Sequence, residues 1–265
     1  MQATSDHGIL KDRYEAIGSS GDDRGTAMDF NLRELEIHTA AGYMQDGHTI
    51  LDVGCGTGYS LRQYAKRHAV RGFGIDYATK MIETARAKAV EEADLLGAVA
   101  FEQASVLELP FEDNTFDVIT SARCLMALLD WPRQQEALTE LQRVLKRNGV
   151  LVLMEGTLQG LERLNHARRQ FGIDEIPAVD HKRLITLKFD EPQLISFGLT
   201  LFDLVTIHRF GMYYFITRVL HPLLVAPEQP RNDARINDIA REICKVYPNF
   251  DDLGHLVAFV WRKRS

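Results

Sequence analysis

The pattern of apolar and polar positions alternates between two periods along the first 156 residues. Short apolar runs, typical of buried strands, are separated by longer stretches with apolar residues at helical spacing. The runs predict strands at 49–53, 70–75, 98–102, 116–120 and 149–154. The longer stretches predict helices at 31–45, 58–68, 78–95 and 132–146. Strands that alternate with helices of this length indicate βαβ units and a parallel sheet with helices on both faces.

The flanking parts of the chain are less regular. Residues 1–30 are polar and contain four glycines, which predicts an arm or lid with one helix near Tyr14. Two later segments have strand character, and we expect them to pair antiparallel at one sheet edge, with helical cap segments beside them. The sequence thus predicts one α/β domain over residues 1–265, divided into an arm (1–30), a core (31–156), two strands (200–210 and 255–261) and cap segments (157–199 and 211–253).

Composition excludes several classes of protein. The 31 basic and 37 acidic residues give a net charge of −6, which argues against a general nucleic-acid binder. No run of about 20 apolar residues predicts a transmembrane segment. The three cysteines are widely spaced and match neither a disulfide framework nor a zinc site, and no secretory signal opens the chain. We therefore expect a cytoplasmic protein without a metal, and the oligomeric state stays open.

The glycine-rich loop after the first predicted strand is the most informative stretch. Gly54, Gly56 and Gly58 allow a tight strand-to-helix turn and close approach of a ligand to the backbone. A dinucleotide fingerprint, G-x-G-x-x-G, would need glycine where Tyr59 stands, and a phosphate loop would need a lysine. Asp52, just before the loop, favours a cationic group nearby. The loop thus fits a ligand without a pyrophosphate.

An acidic residue, Asp76, ends the second predicted strand. A carboxylate at this position can accept hydrogen bonds from both hydroxyls of an adenosine ribose. It can also serve as the N-cap of the following helix. Its distance from the glycine loop favours the ribose role.

Four segments resemble the class I S-adenosylmethionine-dependent methyltransferases. They are DVGCGTGY at 52–59, GFGIDYATKMIETAR at 72–86, LPFEDNTFDVI at 109–119 and LQRVLKRNGVLVL at 141–153. The resemblance implies a Rossmann-like, seven-stranded, mostly parallel sheet with an antiparallel edge strand. It also implies S-adenosyl-L-methionine as the cofactor.

The resemblance implies roles for individual residues. The glycine loop would line the methionine part of the cofactor, Asp76 would hold the ribose, and Tyr77 and Met81 would pack on the adenine side. Arg33 would pair with the cofactor carboxylate, although a surface ion pair is an alternative. Ser105 stands where many relatives have aspartate, which weakens one adenine contact. The implied cofactor-binding set is Arg33, Asp52, Gly54, Cys55, Gly56, Gly58, Asp76, Tyr77, Met81, Ala104, Ser105, Val106 and Ser121.

A hydroxyl acceptor would benefit from a general base. His181 is a candidate because it lies in an irregular segment between the core and the last strands. Glu155 ends the fifth predicted strand, and its alternatives are a helix cap or an ion pair with Arg163. The side chains expected to contact substrate are Asn165, Arg168, His208 and Tyr213.

Local charge and a weaker resemblance suggest the acceptor. Residues 205–265 carry a net charge of +3 and the remainder −9, which would suit an anionic small molecule. Residues 123–132 and 155–165 resemble bacterial methyltransferases associated with surface polysaccharides, which suggests a sugar or glycan methylated at oxygen. A cofactor-binding protein without turnover and an NAD-dependent oxidoreductase are the alternatives, and Tyr59 counts against the latter.

Overall fold

A seven-stranded sheet forms the centre of the molecule. The computed structural model describes residues 2–178 and 186–265. The strand order is β3-β2-β1-β4-β5-β7-β6. The strands are β1 (Thr49–Val53), β2 (Arg71–Asp76), β3 (Ala98–Gln103), β4 (Phe116–Ala122), β5 (Leu145–Gly156), β6 (Phe202–His208) and β7 (Leu256–Lys263).

Helices flank the sheet and precede it. The long helices are α1 (Gln2–Ser20), α2 (Phe30–Ala41), α3 (Tyr59–Arg67), α4 (Thr79–Glu91), α5 (Trp131–Val144), α6 (Leu158–Gln170), α7 (Glu191–Leu201) and α10 (Arg235–Val246). A short 3-10 turn follows β4 at Leu125–Leu128. Helices α8 (Gly211–Tyr214) and α9 (His221–Val225) are joined by a π-helical turn at Phe215–Leu220.

Strand direction decides which residues meet at the functional edge of the sheet. Strands β1 to β5 are parallel, whereas β7 runs antiparallel to both β5 and β6. The first residue of β7 therefore lies at the same edge as the last residues of β1, β2, β4 and β5. Register confirms this, because Leu256 pairs with Gly156.

The core lies on both faces of the sheet because strand side chains alternate. Ile50 contributes to the layer beneath α2, α3 and α4, whereas the next residue, Leu51, contributes to the layer beneath α5 and α7. A sheet buried on both faces needs apolar residues at successive positions, which explains the continuous apolar runs of the sequence.

The predicted fold class is confirmed, and most element boundaries differ by only a few residues. Helix α7 lies in the predicted cap segment 157–199, and its last two residues fall in the predicted strand 200–210. Its sequence, EPQLISFGLTL, has little polar periodicity, so its bounds could not be predicted. Asp190 caps it by accepting a hydrogen bond from the Gln193 N–H, which the sequence analysis overlooked.

The segment 211–253 packs mainly on the α2 side of the molecule. The Tyr213 hydroxyl donates to Asp29 at 2.6 Å, and the Arg241 guanidinium donates to Asn31 at 2.6 Å. These contacts join the segment to the start of α2. Among the described residues, no helix has the length and apolar character needed to cross a bilayer.

Gly254 should be required for the close approach that places the start of β7. An added Cβ would lie 1.7 Å from the Arg209 carbonyl oxygen, which is backbone and cannot rotate away. We expect Gly254→Ala to lower the free energy of unfolding by about 1–3 kcal/mol, as overpacking does. Urea denaturation measures this, with Gly8→Ala as control because an added Cβ there meets nothing within 4 Å. Equal free energies of unfolding for the two variants would contradict the predicted requirement for Gly254.

Candidate active site

The glycine loop adopts a conformation that only glycine accepts easily. Gly54, Gly56 and Gly58 have φ values of +69°, +56° and +75°. A Cβ on Gly58 would lie 2.6 Å from the Phe101 ring, and one on Gly54 would lie 2.7 Å from Cys124 Cβ. Space thus excludes a side chain at these two positions. A Cβ on Gly56 would lie 3.9 Å from its nearest neighbour, the Met81 sulfur. Gly56 therefore has open space beside its backbone, which faces the cavity.

Asp76 ties the glycine loop to the end of β2. Its carboxylate accepts hydrogen bonds from the Gly56 N–H and the Ala78 N–H, both at 3.0 Å. Burial raises its pKa to about 6, against the effect of these amides. The side chain also lines the cavity. Asp76 is not the N-cap of α4, because Ala78 holds that position without a side-chain cap hydrogen bond. It orders the backbone that leads into the helix while it faces the cavity.

Asp52 is the second buried carboxylate of the cavity wall. It accepts a hydrogen bond from the Thr120 hydroxyl at 2.7 Å, which fixes it between β1 and β4. Burial raises its pKa to about 6, and the positive charge of Arg33 opposes that rise. A buried carboxylate with one neutral partner favours a cationic or hydrogen-bond-donating ligand.

A large cavity of about 1060 Å³ opens above the carboxyl ends of the strands. Ligand pockets usually measure about 300–1,000 Å³, so this one has room for a cofactor and a second molecule. Two residues expected to bind cofactor, Gly58 and Ser121, lie outside the cavity wall. The other residues expected there lie in the wall: Arg33, Asp52, Gly54, Cys55, Gly56, Asp76, Tyr77, Met81, Ala104, Ser105 and Val106.

Arg33 is buried, so the surface ion pair considered as an alternative is wrong. Its side chain is 5% exposed and its guanidinium lies 4.9 Å from the Tyr59 ring centroid. It donates to the Asp23 carbonyl oxygen. Arg123, also in the wall, pairs with buried Glu36 at 2.9 Å.

The arm folds over the cavity as helix α1. The Tyr14 ring packs edge-on against the Tyr77 ring, with centroids 5.9 Å apart. The Glu15 carboxylate accepts hydrogen bonds from the Thr79 and Lys80 N–H groups at 3.0 and 2.7 Å, which are free amides at the start of α4. Acidic side chains stabilise this end of a helix. Glu15 therefore fastens α1 across the side of the cavity that Tyr77 lines.

The segment between α1 and α2 is fastened to the glycine loop itself. The Thr57 hydroxyl donates to Asp23 at 2.5 Å, and Arg62 pairs with the same carboxylate at 3.2 Å. Lys88 of α4 completes the cluster at 2.9 Å. The loop is thus held from its outer side by the arm, which sequence spacing alone could not indicate.

Glu155 has the position of a structural residue. It is fully buried, lies outside the cavity wall, and accepts hydrogen bonds from the Leu125 and Met126 N–H groups at 2.9 and 3.2 Å. The ion pair with Arg163 is absent, because Arg163 pairs with Glu191 at 2.7 Å. This geometry does not support a role as general base. The sequence suggested a helix cap as one structural role for Glu155, and its hydrogen bonds to the first amides of the 3-10 turn fit that role best.

The expected substrate residues do not all meet at the cavity. Arg168 lines it. Asn165 holds the backbone of Ile176 through two hydrogen bonds, His208 bonds the Tyr43 hydroxyl at 2.7 Å, and Tyr213 is occupied by Asp29. These three lie outside the wall. His181 lies outside the described residues.

Several wall residues were missed by sequence reasoning. They come from the arm, the turn after β4, α5, α6 and the residues after it, residues 186–188 and the start of β7. The wall residue at the start of β7 could have been found from the sequence. An antiparallel last strand begins at the edge of the sheet where the parallel strands end. The wall residues are Leu10, Lys11, Arg13, Tyr14, Met28, Met126, Leu128, Arg133, Leu161, Ile176, Thr186, Lys188 and His255.

The positive charge of the cavity has a different source from the one expected. Segment 205–265 contributes only Gln229 and His255 to the wall. The cations that line the cavity come from α1, α2, α5, α6, the turn after β4 and the loop before α7. They outnumber the carboxylates: Lys11, Arg13, Arg33, Arg123, Arg133, Arg168 and Lys188 against Asp52, Asp76, Asp174 and Glu175.

Comparisons with known proteins agree with this geometry. The family model of the methyltransferase domain matches residues 50–149, which contain the glycine loop and Asp76. This match covers less than half of the chain, so it shows that residues 50–149 are similar to methyltransferase domains. The match agrees with the S-adenosylmethionine cofactor that the four sequence segments implied. In the described residues no group of three or more His, Cys, Asp or Glu could hold a metal ion.

Two curated relatives carry names from quinone chemistry. One is a ubiquinone/menaquinone biosynthesis C-methyltransferase from Idiomarina loihiensis, 30% identical over 151 residues, covering 56% of this chain and 59% of the relative. The other is a 2-phytyl-1,4-naphtoquinone methyltransferase from Trichormus variabilis, 36% identical over 111 residues, covering 41% and 47%. The chain thus spans about half the length of these relatives.

A solved structure matches nearly the whole chain. A chain in the complex between the Haloferax volcanii Trm112 methyltransferase activator and a methyltransferase aligns with a TM-score of 0.63. The alignment covers 96% of this chain and 97% of that one at 18% identity. At this identity the match shows the shared fold. The shared fold therefore includes the elements that flank residues 50–149.

The methyltransferase fold positions an arm whose attachment can be tested. Replacing Glu15 with glutamine removes the negative charge at the start of α4, which is worth about 0.3–1 kcal/mol, or two- to fivefold. We expect backbone amides of α1 to exchange with solvent faster by about that factor. Hydrogen exchange with mass spectrometry measures this. Asp12→Asn, an exposed acid of the same helix, is the control, and equal exchange in both variants would count against the attachment.

Titration of Glu155 should affect stability. Burial raises its pKa from 4.5 to about 8, so the folded state binds this proton more tightly than the unfolded state does. Stability from this group is present below pH 4.5 and is lost as the pH rises to 8. Glu155→Gln cannot titrate, so we expect its unfolding free energy to decline less between pH 5 and 8 than that of the wild type.

Urea denaturation at several pH values measures this difference. Glu102→Gln, an exposed acid on β3 for which we expect no change, is the control. Parallel pH curves for wild type and Glu155→Gln would refute the buried titration.

Proposed function

We propose that this protein transfers a methyl group from S-adenosylmethionine to a small-molecule acceptor. The single observation that supports it best is the glycine loop held by Asp76 in the wall of a cavity that has room for two molecules. The loop presents backbone rather than phosphate-binding side chains, and a carboxylate stands where ribose hydroxyls can donate to it.

Charge in the wall supports separate cofactor and acceptor regions. The carboxylates Asp52 and Asp76 lie at the ends of β1 and β2, beside the glycine loop. Arg33 lies in the same wall and suits the carboxylate of an amino-acid moiety. On the side of α6, apolar residues such as Met126 and Leu161 line the cavity. An acceptor in that part would lie beside the sulfonium end of the cofactor.

The bound cofactor supplies an electrophilic methyl carbon, so the acceptor donates an electron pair to it while the carbon–sulfur bond breaks and sulfur keeps the bonding pair. The chain has to align the acceptor and exclude water. Alignment is worth several kcal/mol, up to about 7–11, in well-oriented reactions. Helix α1, fastened by Glu15, covers the cavity and can exclude water. No described residue has to form a covalent bond.

The acceptor is a small molecule with a substantial apolar surface. The apolar part of the wall favours such a molecule, and the named relatives belong to quinone chemistry. A sugar or glycan methylated at oxygen has less apolar surface, so it would make fewer contacts with the apolar part of the wall. The excess of cations in the wall favours an acceptor with negative charge.

Asp76→Asn tests the cofactor assignment. The amide loses the negative charge that accepts from ribose hydroxyls, and hydrogen bonds to charged groups are worth about 1.5–3 kcal/mol. We expect S-adenosylhomocysteine to bind about 10- to 100-fold more weakly by calorimetry. Asp251→Asn, an exposed acid remote from the cavity wall, should bind as the wild type does.

Label transfer tests turnover. Wild-type protein with methyl-labelled S-adenosylmethionine and a low-molecular-weight metabolite extract should release a labelled product, and Asp76→Asn should release much less. Tight S-adenosylhomocysteine binding without any labelled product would favour the role in binding alone. Calorimetry that detects binding of NADH but no binding of S-adenosylhomocysteine would refute the cofactor assignment.

A further inference from the structure

His255 reaches the cavity because β7 runs against its neighbours. It directly precedes β7, so it lies at the edge where β5 ends, and the Thr157 N–H donates to its carbonyl oxygen at 2.8 Å. Close packing fixes it there, since a Cβ on Gly160 would lie 3.0 Å from its Cα. Its side chain lines the cavity. No role in the proposed cofactor site involves it.

The ring of His255 is neutral and offers one nitrogen to a ligand. Burial and the positive charges of Arg218 and Lys188 lower its pKa to about 3. Nδ1 is buried and has no hydrogen-bond partner in the described part of the chain. A buried N–H without an acceptor is rarer than a buried lone pair without a donor. The proton therefore belongs on Nε2, which makes the accessible nitrogen a donor.

Lys188 stands beside His255 in the same wall. Its segment runs along the end of β5, where the Phe189 N–H donates to the Gly156 carbonyl oxygen at 2.9 Å. A Cβ on Gly156 would lie 3.5 Å from Lys188 Cγ and 3.9 Å from the His255 carbonyl oxygen, so both residues pack against this glycine. The ammonium donates one hydrogen bond to the Ala178 carbonyl oxygen at 2.5 Å. Within residues 2–178 and 186–265 the other two N–H groups have no acceptor, so they can serve a ligand.

We propose that His255 and Lys188 together bind an anionic oxygen of the methyl acceptor. Each presents hydrogen-bond donors at the cavity, and one carries a positive charge, so the matching group is a carboxylate or an ionised hydroxyl. Met126 and Leu161 line the adjoining wall, so the acceptor class is an apolar small molecule with one such oxygen. This inference rests on the proposed function and specifies its acceptor.

The carboxylates on this side of the cavity do not displace such a ligand. Glu175 is paired with Arg169 at 2.8 Å. Asp174 lies beside Arg168, whose guanidinium donates to the Asp174 carbonyl oxygen at 2.7 Å. Arg169 thus opposes the charge of Glu175, and Arg168 interacts electrostatically with the Asp174 carboxylate. Within the described part of the chain, neither carboxylate forms an ion pair with Lys188.

Calorimetry with matched probes tests the inference on protein saturated with S-adenosylhomocysteine. The probes are 1-naphthoate and its neutral analogue 1-naphthamide. We expect wild-type protein to bind naphthoate at least tenfold more tightly than naphthamide, the lower end for hydrogen bonds to charged groups. Lys188→Met should bring the two affinities within about twofold, and His255→Phe should weaken naphthoate binding by fivefold or more.

Controls separate this site from the cofactor site and from folding. Lys245→Met removes a cation of α10 that pairs with Glu242, outside the cavity, and should keep the wild-type preference. Both test variants should bind S-adenosylhomocysteine within about threefold of the wild type. Nitrogen NMR of the His255 ring in wild-type protein adds a measurement without any variant, and its Nε2 signal should shift when naphthoate is added.

The outcomes are distinguishable. A wild-type protein that binds S-adenosylhomocysteine but shows no preference for naphthoate would overturn this inference and leave the proposed function standing. A preference that survives in both variants, or an unperturbed His255 ring, would also overturn it. Failure of the wild type to bind S-adenosylhomocysteine would overturn the proposed function and this inference with it.

Discussion

The hydrogen bond from the Gly56 N–H to the Asp76 carboxylate is the constraint on which the cavity depends. It joins the ends of β1 and β2 and holds the glycine loop in a left-handed backbone that places Gly56 against open space. Asp76 also lines the cavity, so in the proposed function the same carboxylate would accept hydrogen bonds from ribose hydroxyls. One side chain would then both organise the backbone and recognise the cofactor.

Around this bond, neighbouring elements supply rigidity from the outside. Asp23 links the arm to Thr57 of the loop, Glu15 fastens α1 to the start of α4, and Glu155 holds the turn after β4. In each link a carboxyl group accepts hydrogen bonds from donors that would otherwise lack a partner. The donors are a hydroxyl for Asp23 and backbone amides for Glu15 and Glu155. Ionisable groups that a sequence suggests as catalysts can thus serve to place the walls of a site.

The two parts of the cavity wall differ in composition. The two buried carboxylates lie beside the glycine loop, whereas Lys188, Arg168 and apolar residues lie towards α6 together with Asp174 and Glu175. The reversed direction of β7 adds His255 to that second part. A parallel sheet alone would offer only strand ends to a ligand. The antiparallel strand adds a strand beginning, which extends the functional edge beyond β5 and would give the proposed acceptor contacts of its own.

The sequence by itself determined the sheet, the glycine loop and Asp76, because strand burial and positive φ angles depend on residues close together in the chain. The pairing of β7 was also predictable from its apolar run. Only the tertiary structure decided that Glu155 faces the amides of Leu125 and Met126, that Tyr213 contacts Asp29, and that His255 reaches the cavity. These roles depend on which distant segments become neighbours, and hydrophobic periodicity carries no information about that.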